Sequence, residues 1–87
     1  MLTFSVKRVY KFNGEGPLKA IADLVIGEEF LVKGFRVVEG KNGLFISGPT
    51  KAGNNGKWYS TALALTDEAK REVERVVMEA FENEDRQ

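Results

Sequence analysis

The sequence predicts an α+β fold: an antiparallel sheet of four to five strands followed by one C-terminal helix. Three observations carry that expectation. Segments over residues 3–12, 18–26 and 30–38 are rich in β-branched and aromatic residues at period two, and Gly, Asn or Pro bounds each of them. Residues 67–82 switch to helical spacing. At 87 residues the chain is the size of one domain, spanning 1–87.

In the first strand, Phe4, Val6, Tyr10 and Phe12 fall on one face and Ser5, Lys7, Val9 and Lys11 on the other, with Arg8 interrupting the apolar row. Asn13-Gly14 and Gly16-Pro17 then break the chain direction. The second strand sets Leu18, Ala20, Ala22, Leu24 and Ile26 against Lys19, Ile21, Asp23 and Val25. A tight turn at Gly27-Glu28-Glu29 leads into the third strand, which sets Leu31, Phe35 and Val37 against Phe30, Val32 and Val38. Gly34 in mid-strand predicts a bulge or a close backbone approach. Asn42-Gly43 is a hairpin signal leading into a short fourth strand over 44–47, which Gly48-Pro49 ends.

Residues 49–57 show no apolar pattern and are expected to form a mobile loop. Residues 60–65 suit either a short strand or an extended lead-in to the helix. Thr66 is placed to cap the helix, and Asp67 and Glu68 sit in the first turn, where the helix dipole favours negative charge. Ala69, Val73, Val76, Val77, Ala80 and Phe81 form its apolar stripe, and the polar end over 83–87 is expected to fray.

Composition removes several chemistries. The chain has no Cys and no His, so the usual zinc sites, a Cys nucleophile, a Ser–His pair and imidazole acid–base work are all excluded. Without disulfides nothing argues for an extracellular setting. No apolar run approaches the ~18 residues of a membrane span, and the start MLTFSVKR lacks the apolar middle of a signal peptide. The expectation is a cytoplasmic protein with no cofactor, no metal, no small-molecule substrate and no enzymatic activity. Asp23, between Ala22 and Leu24, has no carboxylate partner in the pattern and is expected to face solvent; Glu28-Glu29 is expected to be a solvated turn rather than a cation site.

Charge is unevenly placed. The thirteen basic and thirteen acidic residues cancel, but residues 1–66 hold nine Lys/Arg against five Asp/Glu, and residues 67–87 hold four against eight. A basic sheet therefore accompanies an acidic helix. Lys51 and Lys57 flank one Gly-rich stretch and are the first candidates for phosphate contacts, followed by Arg36 and Lys41. Trp58 and Tyr59 adjoin that stretch and suit base stacking; the other reading of Trp58 is a plug in the core. Asn54 and Asn55 can reach a base or serve turn chemistry.

Residues 18–51 carry a succession of motifs: Lys19-Ala20-Ile21-Ala22, Glu29-Phe30, Arg36-Val37-Val38, Asn42-Gly43-Leu44-Phe45 and Pro49-Thr50-Lys51. In this order they resemble the SpoVG family of sporulation and septation regulators, and the likeness extends over about the whole chain. The resemblance implies a small dimeric α+β protein of the bacterial cytoplasm. It also implies a regulator that binds DNA, and in some members RNA, with basic positions after the fourth strand. Only Lys51 carries over onto those positions. Ala52, Gly53 and Asn54 stand where relatives often have Arg, which implies a modest affinity.

Two functional classes follow. The first is a homodimeric nucleic-acid-binding regulator that uses Lys51 and Lys57, with Arg36 and Lys41 in support. The alternative is a protein-interaction module without intrinsic DNA binding, which the neutral total charge favours. The dimer is expected because one helix covers one sheet face while both faces carry apolar residues. The second face or an exposed sheet edge is its expected interface.

Overall fold

Two short hairpin turns and one longer connection string four strands into a meander. The computed structural model of the chain describes residues 2–84. Strands β1 (Phe4–Lys11), β2 (Leu18–Ile26), β3 (Phe30–Gly40) and β4 (Gly43–Ser47) form one antiparallel sheet in the order β1-β2-β3-β4. Strands β5 (Thr50–Ala52) and β6 (Trp58–Ser60) pair as a separate two-stranded sheet, and helix α1 (Asp67–Glu84) follows. The α+β class is as expected. Gly27 (φ 62°) and Glu28 (φ 70°) make the β2–β3 turn left-handed at both positions, and the Glu29 N–H donates to the Ile26 carbonyl at 3.3 Å. That geometry matches the twist of the flanking strands.

Bulges change which residues share a face. In β1 the register passes from Val6↔Leu24 to Arg8↔Asp23, so Lys7 is the extra residue. Val9 and Lys11 therefore join Phe4 and Val6 instead of opposing them. Val9 packs on the core, and the Lys11 Nζ lies 4.2 Å from the centre of the Phe81 ring. In β3 the register passes from Asp23↔Lys33 to Ala22↔Phe35, with Gly34 left over. Phe35 and Val37 consequently move onto the face of Leu24 and are buried with it, which corrects the simple alternation.

The core is small: Ala20, Ala22, Leu24, Phe35, Val37 and Val77 are buried. α1 lies chiefly across β1, and Val73, Val76 and Phe81 extend the contact. The Thr66 Oγ1 accepts from the Ala69 N–H at 3.0 Å, which is the expected cap. Arg75 donates to Glu72 and, at 2.8 Å, to Glu79. Its hydrogen bond holds the Glu72 carboxyl below the usual carboxylate range. Asn83 and Glu84 belong to the helix, and the rest of the expected frayed end, 85–87, lies outside the described residues.

The other sheet face is open. Directly opposed pairs place Val25 beside Leu31, Tyr10 beside Ile21 and Val38 beside Phe45 on it. Asp23 is here as well, and it is 7% exposed, not solvent-facing as its neighbours suggest. A buried carboxylate is tolerated when opposite charge flanks it. Arg8 of β1 and Lys33 of β3 are its register partners on the two sides, next to the two bulges. Arg8 also donates to the Tyr10 hydroxyl at 3.3 Å; that bond and the nearby Asp23 charge raise its pKa further.

Candidate nucleic-acid interface

Residues 49–57 form most of a hairpin where the sequence suggests a loop. Its register is Thr50↔Ser60, Lys51↔Tyr59 and Ala52↔Trp58. No apolar face is buried to hold it, so periodicity does not reveal it. Turn chemistry holds it instead. The Gly53 N–H donates to the Lys57 carbonyl at 2.8 Å, and the Gly56 N–H to the Gly53 carbonyl at 3.2 Å. The Asn55 Oδ1 accepts from the Lys57 N–H at 3.1 Å, and its Nδ2 donates to the Tyr59 hydroxyl at 2.7 Å. Asn55 is thus consumed by the turn, while Asn54 is exposed. The signal for this hairpin was present: Asn55-Gly56 is the same dipeptide as Asn42-Gly43, and Gly56 takes φ 78°.

The hairpin is anchored at its root. Pro49 is buried and packs over Gly34, whose φ is 99°; a Cβ built on Gly34 meets the Pro49 Cβ at 3.4 Å. The close approach expected at Gly34 is therefore present together with the bulge. The Thr61 N–H donates to the Pro49 carbonyl at 2.9 Å. The Arg36 Nη2 donates to Ser47 Oγ at 3.1 Å, to the Gly48 carbonyl at 3.4 Å and to Thr50 Oγ1 at 3.4 Å. Its Nε is buried with no partner among the described residues. Arg36 therefore buttresses the junction of β3, β4 and β5, with one end of its guanidinium already engaged.

Successive strand residues point to opposite faces, so Lys51 and Tyr59 share one face of the hairpin and Ala52 and Trp58 the other. Lys57 is exposed beside Trp58. Trp58 is 70% exposed and does not plug the core. Between Glu39 and Asp67 the chain has no acidic residue, and its charges there are Lys41, Lys51 and Lys57. The structure thus brings Lys51, Lys57, Trp58 and Tyr59 onto one hairpin and sets Arg36 at its root. Lys41 is apart, in the β3–β4 turn at the other end of β4; five residues of strand span about 17 Å.

An open groove of about 300 Å³ runs along the hairpin, lined by Lys51, Ala52, Gly53, Asn54, Tyr59 and Thr61. The sequence alone does not single out Thr61, and it marks Gly53 only as a flexible position where relatives often have Arg. Their place beside Lys51 depends on cross-strand register, which no local pattern carries.

Comparison with known proteins gives a consistent result. The family model SpoVG matches residues 1–83. A protein of Lachnospira eligens named "Putative septation protein SpoVG" is 32% identical over 75 residues, covering 86% of this chain and 85% of the relative. A protein of the same name from Archaeoglobus fulgidus is 33% identical over 78 residues, covering 90% of this chain and 92% of its own length. "Putative septation protein SpoVG 2" of Listeria monocytogenes is 32% identical over 75 residues, covering 86% of this chain and 74% of the relative.

Proposed function

The chain belongs to the SpoVG family, and on that premise we propose that it is a regulatory protein that binds DNA or RNA through the β5–β6 hairpin and acts in septation, the process its relatives are named for. The observation that carries the reading is the hairpin itself: two lysines and an exposed tryptophan within a stretch that holds no acidic residue. Lys51 and Lys57 neutralise phosphates and release counterions, and Trp58 takes a base face. Arg36 holds the hairpin in place, and Lys41 adds charge at a distance. The reading asks for no catalytic step and no cofactor. Two phosphate contacts per hairpin support a modest affinity.

Trp58 is the sole tryptophan, so it reports its own contacts. Titrating a mixed-sequence oligonucleotide into the protein at about 50 mM salt is expected to quench its emission to saturation at micromolar protein, the range of charge-driven binding. Unchanged emission together with no gel shift for any DNA or RNA contradicts the reading.

The reading includes a homodimer, which presents the hairpin twice. Supporting it, the open sheet face leaves Tyr10, Leu31 and Phe45 exposed, and the β4 edge, Gly43–Ser47, carries neither charge nor proline. Light scattering is expected to give twice the chain mass of 9.7 kDa; a stable mass of 9.7 kDa at micromolar concentration removes the dimer.

One observation favours the protein-interaction alternative. An apolar cavity of about 620 Å³ opens between α1, the sheet and the 62–66 segment, lined among others by Leu2, Leu24, Ile26, Leu63, Leu65 and Val73. Leu65 is 95% exposed at its rim. A protein that fails to shift nucleic acid at low salt directs attention to this cavity.

A further inference from the structure

We propose that the Lys51/Tyr59 face of the hairpin is a single-strand site, in which one unpaired base stacks on Tyr59 while an adjoining phosphate meets Lys51, so that unpaired DNA or RNA is bound in preference to duplex. This rests on the nucleic-acid reading above and narrows its ligand.

Tyr59 is held ready for that task. Its ring lies against Gly53 so closely that a Cβ there would sit 2.5 Å from the ring Cε2. Its hydroxyl accepts from the Asn55 Nδ2 at 2.7 Å. Between a glycine that makes room for the ring and an amide that fixes its tip, the side chain has its orientation before any ligand arrives. Preorganisation of this kind lowers the ordering cost of binding. The residue is nonetheless 49% exposed, and it lines the groove of about 300 Å³.

The groove sets the ligand. At about 300 Å³ it lies at the low end of small-molecule sites and has room for one nucleotide. Lys51, directly across the ladder from Tyr59, supplies the cation, and the exposed Asn54 amide adds a donor and an acceptor at the same groove. Base faces inside a duplex are already stacked, so an aromatic ring competes for them only after unpairing. A single strand offers them freely, and Trp58 on the opposite face of the hairpin provides a second ring.

Charge points the same way. Charge-driven duplex binding grows with the number of phosphates neutralised, and each hairpin carries only two lysines. Stacking supplies what charge does not: roughly 5- to 150-fold in affinity per base.

The test compares a labelled mixed-sequence 20-mer, as single-stranded DNA and as single-stranded RNA, with the blunt DNA duplex at about 50 mM salt. The single strands are expected to bind at least tenfold more tightly than the duplex. Tyr59→Leu is expected to weaken single-strand binding at least fivefold and to leave duplex binding within twofold. Tyr59→Phe keeps the ring and is expected to stay within threefold of the parent. Gly53→Ala, which displaces the ring without removing it, is expected to act like Tyr59→Leu and serves if that variant does not fold. Equal or tighter duplex binding, or a Tyr59→Leu loss that falls alike on both probes, overturns the single-strand site while leaving nucleic-acid binding intact. Absence of binding to any probe overturns both.

Discussion

Gly34→Val is expected to destabilise the fold by about 2–5 kcal/mol, through backbone strain and crowding acting together. Gly34 is the extra residue of the β3 bulge, and its φ of 99° belongs to a region that residues with a Cβ rarely enter. Strain of this kind costs about 1–3 kcal/mol for a non-glycine residue, and β-branching adds to it. A Cβ at 34 already meets Pro49 at 3.4 Å, and the two γ-methyls of valine reach further, so Pro49 must move. Overpacking a close contact costs another 1–3 kcal/mol or so. Pro49 is the buried residue at the root of β5, which makes the hairpin the first element to lose its anchor. At about 4–8 °C per kcal/mol for a domain of this size, the melting temperature should fall by roughly 10 °C or more. Gly34→Ala isolates the backbone part and should cost about half as much as the valine. Thermal melts followed by circular dichroism read both. A melting temperature within 2 °C of the parent for Gly34→Val contradicts the role assigned to the bulge.

The same glycine marks where the sequence is legible and where it is not. Strands appear in the sequence because alternating Phe4 and Val6, or Ala20, Ala22 and Leu24, must bury one side against a helix. The helix appears because Val73, Val76, Val77 and Phe81 recur at its period. A bulge has no such repeat. Lys7 is an ordinary strand residue by type, and only the ladder reveals that it is the surplus one, so simple alternation puts Val9 and Phe35 on the wrong face. Asp23 is misread for the same reason, since its flanking charges, Arg8 and Lys33, come from other strands.

The candidate site divides in the same way. Lys51 and Lys57 are legible as charges in a Gly-rich stretch, because charge needs no register to be noticed. The hairpin that carries them buries no apolar face and leaves no periodicity, although Asn55-Gly56 marks its turn. Arg36 reads as a phosphate contact from composition, yet its Nη2 is engaged by Ser47, Gly48 and Thr50. Tyr59 and Gly53 become a unit only through a contact across the ladder.

The second large effect concerns binding. Lys51→Ala with Lys57→Ala is expected to weaken the binding of a single-stranded oligonucleotide roughly five- to tenfold at about 50 mM salt. Both side chains are exposed and neither is in an ion pair among the described residues. Exposed lysines of this kind add little to stability, so the melting temperature should stay within 2 °C or so. Loss of the hairpin's fold is thereby separated from loss of its charge. Each phosphate contact contributes about 0.7 to the log–log dependence of affinity on salt for a single strand, and about 0.9 for duplex.

The most direct measurement is therefore the salt dependence of oligonucleotide binding, determined for the parent and the double variant across about 50–200 mM salt. Phosphate binding by this hairpin predicts a parent slope that becomes shallower in the double variant, by about 1.4 for each hairpin engaged on a single strand. An unchanged slope and affinity in a folded double variant would contradict it and move the contact surface off the hairpin.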